Sequence, residues 1–487
     1  MRILVLDVGS SSVRGVVYDE AGRKHASAQV ENREVFGLDG AVTEPASDWT
    51  DHVLQILHCL SSDIDLKHIA ALALTAQRSS VIPVDRDGRA LMDTVMWQDT
   101  RNAALCQKLS RDNEKIFSVT GSKVNAVFSG SRMLWIRQNC PDIAGKTEKY
   151  LNIPEYLIFQ MTGRYETDSS YGCRSGLMDL RAETWSEIEL KRYGIRPEQL
   201  CHLNRPGSIV GSVTERFARE SGLSAGIPVI SAGGDQQCAA LGQGIWQEGD
   251  LSIVAGTGGY VSAACTKLPA VLSPNVSCSR SAIPGAFLLE ANLITCSSAY
   301  DSVIRTLYGS DSIDYSAVER ELEREGAPAS CLVLPYFQGK GSPDWNAQAK
   351  AIFADVTLST RKSELLKATA EGLFLELKNQ AEIVGDYVSP RLIFGSGGMT
   401  KSLQLRQLMS DIFGREIRFK NDEETTAYGA FLSAVVTLGI MRDMAQAQET
   451  LNPMNLFTVC RPDMDKHAIY EQKRSRMNAL YDTIYRL

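Results

Sequence analysis

The chain opens on an apolar, largely β-branched run, Ile3 to Val8, which Gly9-Ser10-Ser11-Ser12 interrupts and Val13 to Tyr18 resumes. Two such runs about a turn of small residues predict a strand–turn–strand, and Asp19-Glu20-Ala21-Gly22 closes the second strand with another hairpin turn. The same design returns much later: Leu251 to Ala255 is apolar, Gly256-Thr257-Gly258-Gly259 turns, and Tyr260 to Ala264 reads as a strand. Such a recurrence suggests two structurally related halves. Between the hairpins, Ile69 to Thr75 and Pro228 to Ala232 predict buried strands, each ending at a polar or glycine-rich stretch. From Ser363 to Val384 the apolar positions Leu366, Ala370, Leu373, Leu377, Ala381 and Val384 follow helical spacing, so a core-facing helix is expected. Arg391 to Phe394 then reads as a strand, Gly395-Ser396-Gly397-Gly398 as a turn and Ser402 to Phe413 as a helix. Strands and helices alternating on this scale predict an α/β architecture.

Length and charge narrow the picture. A chain of 487 residues exceeds one ordinary core, so at least two domains are expected. The formal net charge of −7 opposes a nucleic-acid partner. The basic cluster Lys473, Arg474 and Arg476 is short, flanked by Glu471 and Asp482, and reads as a solvated helix face. Eleven cysteines and six histidines are dispersed, without a C-x-x-C pair, which fits neither a disulfide framework nor a zinc site and suits a reducing cytoplasm. The N-terminus runs directly into a strand without a signal-peptide pattern, and no apolar run reaches the ~18 residues that span a bilayer, so no membrane partner is expected.

Four stretches carry chemistry. In Asp7-Val8-Gly9-Ser10-Ser11-Ser12-Val13-Arg14, backbone N–H groups of the turn can converge on phosphate oxygens, and an acidic residue at the end of the strand can hold Mg²⁺ through water. The plainer alternative is an ordinary hairpin with Asp7 beginning its turn. The turn Gly256-Thr257-Gly258-Gly259 is followed by strand rather than helix, which excludes a dinucleotide fingerprint. Gly395-Ser396-Gly397-Gly398-Met399-Thr400-Lys401-Ser402 nearly matches a P-loop but has Thr400 where glycine is needed; it can instead let a flat ring approach the backbone. Asp235 follows a buried strand and two glycines, well placed to take a proton from a hydroxyl, or to cap the helix that follows.

Together these pieces resemble the FGGY carbohydrate kinase family. Asp7-x-Gly9-Ser10-Ser11-x-x-Arg14 resembles its N-terminal phosphate motif, Met96-Trp97-Gln98-Asp99-Thr100-Arg101 the tract after the sugar-binding strand, and Gly234-Asp235-Gln236-Gln237 the segment bearing the catalytic aspartate. Ala255-Gly256-Thr257-Gly258 is similar to the second phosphate loop, and Leu334-Pro335-Tyr336-Phe337-x-Gly339 with Ser342-Pro343-x-Trp345-Asn346 to a further signature. Gly395-x-Gly397-Gly398 and Glu424-Thr425-Thr426-Ala427-x-Gly429-Ala430 resemble the adenosine-side segments. The resemblance implies two actin-like domains of ribonuclease H type flanking a deep cleft, with sugar or polyol mainly on the N-terminal domain, 1–238, and ATP mainly on the C-terminal one, 239–487. It further implies Asp235 as general base, Asp7 and Asp235 as carboxylates for Mg²⁺, and Gln77, Arg78, Trp97 and Asp235 as acceptor contacts. ATP would meet Gly9, Ser10, Ser11, Arg14, Gly256, Thr257, Gly258, Gly397, Gly398 and Met399. Rival expectations on the same fold are a degenerate sugar sensor and a chaperone- or actin-like nucleotide switch; a homo-oligomer is compatible with all three.

The acceptor loop Ala76-Gln77-Arg78-Ser79-Ser80 departs from the marked subgroups. Glycerol kinases carry a similar Gln-Arg followed by Glu, but Ser79 stands here, losing a carboxylate that could bind two hydroxyls. Their tyrosine is also missing from Asn125-Ala126-Val127-Phe128-Ser129, and of the xylulose kinase Gln-Met-His-Gly only Gln77 fits. A short linear polyol or ketose is the expected acceptor. Asp99 and Arg101 are as well explained by a structural pair as by substrate contact.

Overall fold

The computed structural model describes residues 1–309, 313–421, 424–453 and 456–486. Strand β1 (Arg2–Val8) is buried along nearly its whole length, as expected of an apolar run in a sheet covered on both faces. It pairs antiparallel with β2 (Ser12–Asp19), which pairs antiparallel with β3 (Lys24–Glu31). On its other side β1 runs parallel to β4 (Ile69–Ala76). Strand β5 (Ser208–Ser212) lies antiparallel to β6 (Pro228–Gly234), which in turn runs parallel to β4, giving the order β5-β6-β4-β1-β2-β3.

The second sheet repeats the plan. Strand β7 (Leu251–Ala255) pairs antiparallel with β8 (Gly259–Cys265); β9 (Ser277–Arg280) and β10 (Phe287–Leu293) extend that side. Strand β11 (Ile393–Ser396) runs parallel to β7, β12 (Ile417–Lys420) parallel to β11, and β13 (Phe457–Cys460) closes the edge antiparallel. With β9 set aside as an extra edge strand, the two orders superimpose strand for strand. The related halves expected from the two hairpins are therefore visible as topology, in the doubled arrangement of actin-like ATPases.

Alternation along β1 decides what covers it. Leu4, Leu6 and Val8 pack with Trp49, Val53, Ile56 and Leu57 of helix α1 (Ala46–Leu60) on the outer face. Ile3 and Val5 point the other way, with Ala427, Phe431 and Leu432. Those three belong to the C-terminal half, so the inner face of the first sheet is closed by a helix of the other half. The second sheet is built alike: Leu251, Ile253 and Ala255 pack with Leu366, Ala370, Leu373 and Leu377, while Phe394 packs with Ala240.

Two helices thus lie between the sheets, α2 (Asp235–Gln243) and α4 (Thr425–Thr437), whereas α3 (Lys362–Gly385) backs the second sheet. Helices α2 and α4 cross at Gly242 and Gly429, where an added Cβ would overlap the Thr425 and Cys238 carbonyl oxygens. Helix α2 runs across position 238. The strand ending at Ala232 in the sequence reading continues through Gly234, because Gly233 and Gly234 pair with Thr75 and Ala76.

The C-terminal helix α5 (Met464–Tyr485) corrects one expectation. Two of its three basic residues are not on a solvated face: Lys473 bonds the Glu371 carboxylate and two backbone carbonyls, and Arg474 pairs with Glu382 and Glu471, while Arg476 is exposed as expected. No helix is long and apolar enough to cross a membrane among the described residues.

Candidate active site

Gln77, Arg78, Trp97 and Asp235 come together on one wall of a cavity of about 450 Å³. Parallel pairing of β1, β4 and β6 produces this, since all three strands end on the same edge and release Asp7, Gln77 and Asp235 side by side. The Gln77 amide donates to the Gly9 carbonyl at 3.2 Å, and the Trp97 indole N–H donates to Ser10 Oγ at 2.7 Å, tying the acceptor loop to the first glycine turn. Asn32 donates to the carbonyls of Gly9 and Ser10, both at 2.9 Å. Ser11 does not line a cavity; Ser10 does.

Arg78 is no surface cation. Its side chain is only 4% exposed, its Nε lies 3.8 Å from Asp235 Oδ1, and one terminal nitrogen donates to Gln236 Oε1. Asp235 is the first residue of α2 rather than its cap, which is Gly234, and Oδ1 accepts from the Gln236 backbone N–H at 2.7 Å. Its carboxyl is pushed above the usual carboxylate range by burial, against the pull of Arg78 and the Gln236 N–H. Asp7 is pushed up to about 7 by burial and then by the negative charge of Asp235, with Arg14 opposing and Glu424 adding. Two neighbouring carboxyls that each resist ionisation make a site where a hard cation is welcome. Among the described residues no three His, Cys, Asp or Glu side chains converge on a metal site.

A second cavity, about 520 Å³, opens on the C-terminal half and takes Gly397, Gly398, Thr400, Lys420 and Thr425 in its lining. It meets the first at Gln236, Tyr260 and Glu290, which line both. Gly397 adopts φ +101° and has no room for a side chain, because a Cβ there would run into the backbone of Ala255 and Gly256. The turn 256–258 is held by backbone bonds to the start of the next helix, from Cys296 N to Thr257 O at 2.8 Å and from Ser297 N to Gly256 O at 2.7 Å.

Gly9, Arg14, Gly256, Thr257 and Gly258 line neither of these cavities. Arg14 is engaged with Gln29 at 2.8 Å and lies 3.8 Å from Glu424. Glu424, in the segment read from sequence as adenosine-side, lies 3.2 Å from Lys24 and 3.8 Å from Arg14, and the next residue, Thr425, lines the second cavity. The Met399 side chain is buried against Cys296 rather than lining the nucleotide-side cavity. Asp99 and Arg101 form a structural pair at 2.7 Å, and Arg101 stacks on Trp135.

The profile for the N-terminal domain of the FGGY family of carbohydrate kinases matches residues 2–242, and that for the C-terminal domain matches residues 251–438. The chain belongs to this family. It is a carbohydrate kinase, a phosphotransferase. A glycerol kinase of Thermococcus kodakarensis is 25% identical over 476 residues, covering 95% of this chain and 93% of its own. In fold, the chain is similar to a xylulose kinase of Lactobacillus acidophilus (TM-score 0.91, 23% identity, 99% of this chain and 98% of that one). It is also similar to a Plasmodium falciparum glycerol kinase solved with ADP (TM-score 0.90, 24% identity, 100% and 99%).

Several lining residues of this FGGY kinase have no local signal in the sequence. Arg174, Tyr260, Glu290, Asn292 and Trp345 all line the first cavity. Tyr260, Glu290 and Asn292 lie on β8 and β10 of the second sheet and face the first half only because the halves are packed together. Ser342 and Trp345 were in a quoted family signature, without a role attached.

Proposed function

We propose that this kinase transfers the γ-phosphoryl group of ATP to a hydroxyl of a small, uncharged polyol or ketose bound in the 450 Å³ cavity. The observation that carries the reading is the position of Asp235, which lines the acceptor cavity at its junction with the nucleotide-side cavity through the adjacent Gln236. Asp235 orients the acceptor hydroxyl and takes its proton as the oxygen attacks phosphorus in line. A carboxyl whose affinity for protons is raised by burial is a better base for an alcohol than an ordinary one. Arg78 beside it keeps enough of the carboxyl ionised to act.

Residues 1–238 supply mainly the acceptor side and 239–487 mainly the nucleotide side. The turns at Gly9–Ser11 and Gly256–Gly258, with Arg14, offer N–H groups and charge to phosphate oxygens. Gly397 and Gly398 leave the backbone open where the nucleoside would lie. Asp7 and Asp235 would hold the Mg²⁺ that accompanies ATP, and the ion would supply positive charge to the phosphate oxygens. A cytoplasmic setting fits eleven free thiols.

Acceptor-stimulated ADP release, measured over a panel of alditols, ketoses and aldonates, tests the reading. Asp235→Asn should lower kcat by roughly 10²–10⁴-fold while the protein stays folded. An unaffected variant, or a wild-type protein silent with every acceptor, would overturn it.

A further inference from the structure

We propose that Glu290 is the acceptor-reading carboxylate of this kinase, binding, together with Arg174 across the cavity, hydroxyls of the acceptor that are not phosphorylated. The inference rests on the reading of the 450 Å³ cavity as the acceptor site.

The loop at 77–80 is short of a carboxylate. Ser79 occupies the place, in a left-handed conformation (φ +79°), and its hydroxyl is turned to the Arg174 carbonyl at 3.4 Å. A polyol site without an acceptor-type anion near the reacting hydroxyl would hold diols weakly, because carboxylates accept two hydroxyl hydrogens at once. Glu290 brings such a group from the opposite half. It stands on β10 in register with Ser262, and one carboxylate oxygen, Oε2, accepts from Ser279 Oγ at 3.1 Å. The other oxygen makes no hydrogen bond or ion pair among the described residues.

Arg174 is the complementary half. Its guanidinium lies over the Phe128 ring at 4.9 Å, and its buried Nε has no partner. No carboxylate lies within 4 Å of it among the described residues. It nevertheless feels Glu290: burial and Arg78 disfavour its charge, and Glu290 is the leading group that favours it. Cation and anion thus both line the cavity without pairing. Arg78 offers a second orphaned donor, its buried Nη1.

A neutral hydroxyl satisfies this arrangement, since it accepts from a guanidinium and donates to a carboxylate in one contact. A carboxylate-bearing acceptor would meet Arg174 well but would be repelled by Glu290 and Asp235; an amino sugar would be repelled by Arg78 and Arg174. The charge layout selects an uncharged polyhydroxy compound with hydroxyls beyond the one phosphorylated.

Steady-state kinetics on Glu290→Gln, Glu290→Ala and Arg174→Gln test this, with the best neutral acceptor of the wild type and its deoxy analogues. The glutamine variant keeps the shape, so folding is retained even where alanine fails. Acceptor KM should rise roughly ten- to a hundred-fold in Glu290→Gln, with ATP KM within about twofold of wild type. A deoxy analogue lacking the hydroxyl that Glu290 holds should be insensitive to the substitution. An unchanged acceptor KM in the folded variant overturns this inference alone, as does a wild-type preference for aldonates. A wild type inactive with every acceptor overturns the kinase reading beneath it.

Discussion

Asp235 owes its position to buried groups that never touch a ligand. Asp168 is fully buried and accepts from the Ser170 N–H at 2.8 Å and from the hydroxyls of Ser170 and Ser231. The Ser170 hydroxyl in turn accepts from the Gly234 N–H at 2.8 Å, and Tyr171 donates to the Gly233 carbonyl at 2.8 Å, so the turn before Asp235 is pinned from below. Burial pushes the Asp168 carboxyl up to about 6 from 3.8, although its hydrogen bonds oppose the shift. An acid whose folded value is raised binds its proton more tightly in the folded state. Its favourable contribution is therefore complete below about pH 3.8 and is lost as pH rises through about 6. Urea unfolding of wild type and Asp168→Asn between pH 4 and pH 7 should show the wild type losing stability relative to the variant by up to about 3 kcal/mol, and no further divergence above that range. A difference curve that stays flat would remove Asp168 as a buried titrating group. At this scale the sequence was most legible where one residue ends one strand: Asp7, Gln77 and Asp235 each follow an apolar run and a small or polar break. Asp168 and Arg174 lie in a segment of short elements with no period to read, and their partners are remote along the chain.

Elements were legible in proportion to their length. The helical spacing from Leu366 to Val384 is met by α3 at Lys362–Gly385, since six apolar positions can fall on one face only in a helix. The crossing of α2 and α4 was not legible. Gly242 and Gly429 are ordinary in composition, and only the docked halves reveal that each replaces a side chain that would strike backbone. Gly429→Ala should destabilise by roughly 1–3 kcal/mol or more through overpacking, read as a lower urea midpoint. A second element-level device serves the site. Ser342 N donates at 3.0 Å to the carbonyl of Asn292, which stands two strand positions from Glu290, and Trp345, in the same loop as Ser342, lines the 450 Å³ cavity. Lys340 anchors that loop: it lies 3.2 Å from Asp344, 3.9 Å from the buried Glu376 and 3.8 Å above the Tyr481 ring. Burial works against the Asp344 charge, yet Arg486 and Lys340 together hold its carboxyl below the usual range. Lys340→Met leaves the buried Glu376 without its cation while Asp344 keeps Arg486, so a loss of up to about 3–5 kcal/mol is expected. In protein that remains folded, acceptor KM should rise more than ATP KM; equal changes in both would detach the loop from acceptor binding.

On the scale of the whole molecule, duplication and closure are one question. The two sheets share a strand order, and the pair of helices between them, α2 and α4, packs the halves together, with further contacts where Arg280 meets Glu183 and the Leu180 carbonyl. The acceptor cavity takes Gln77, Arg78 and Asp235 from one half and Tyr260, Glu290 and Trp345 from the other. An acceptor that bridges them is bound fully only when the halves are together, and a nucleotide spanning the turns at Gly9 and Gly256 asks for the same state. Two ligands that favour one closed state must strengthen each other, and by the same factor in either order. Asp235→Asn makes the test clean, because both ligands can be present without turnover. Titration calorimetry on this variant should show ATP with Mg²⁺ tightening acceptor binding by about fivefold or more, and acceptor tightening ATP by an equal factor. Glu290→Gln in the same background should weaken that coupling, since it removes a reader contributed by the far wall. Coupling near unity, with both ligands bound, would mean that the halves are already closed and that the cleft works as a fixed socket.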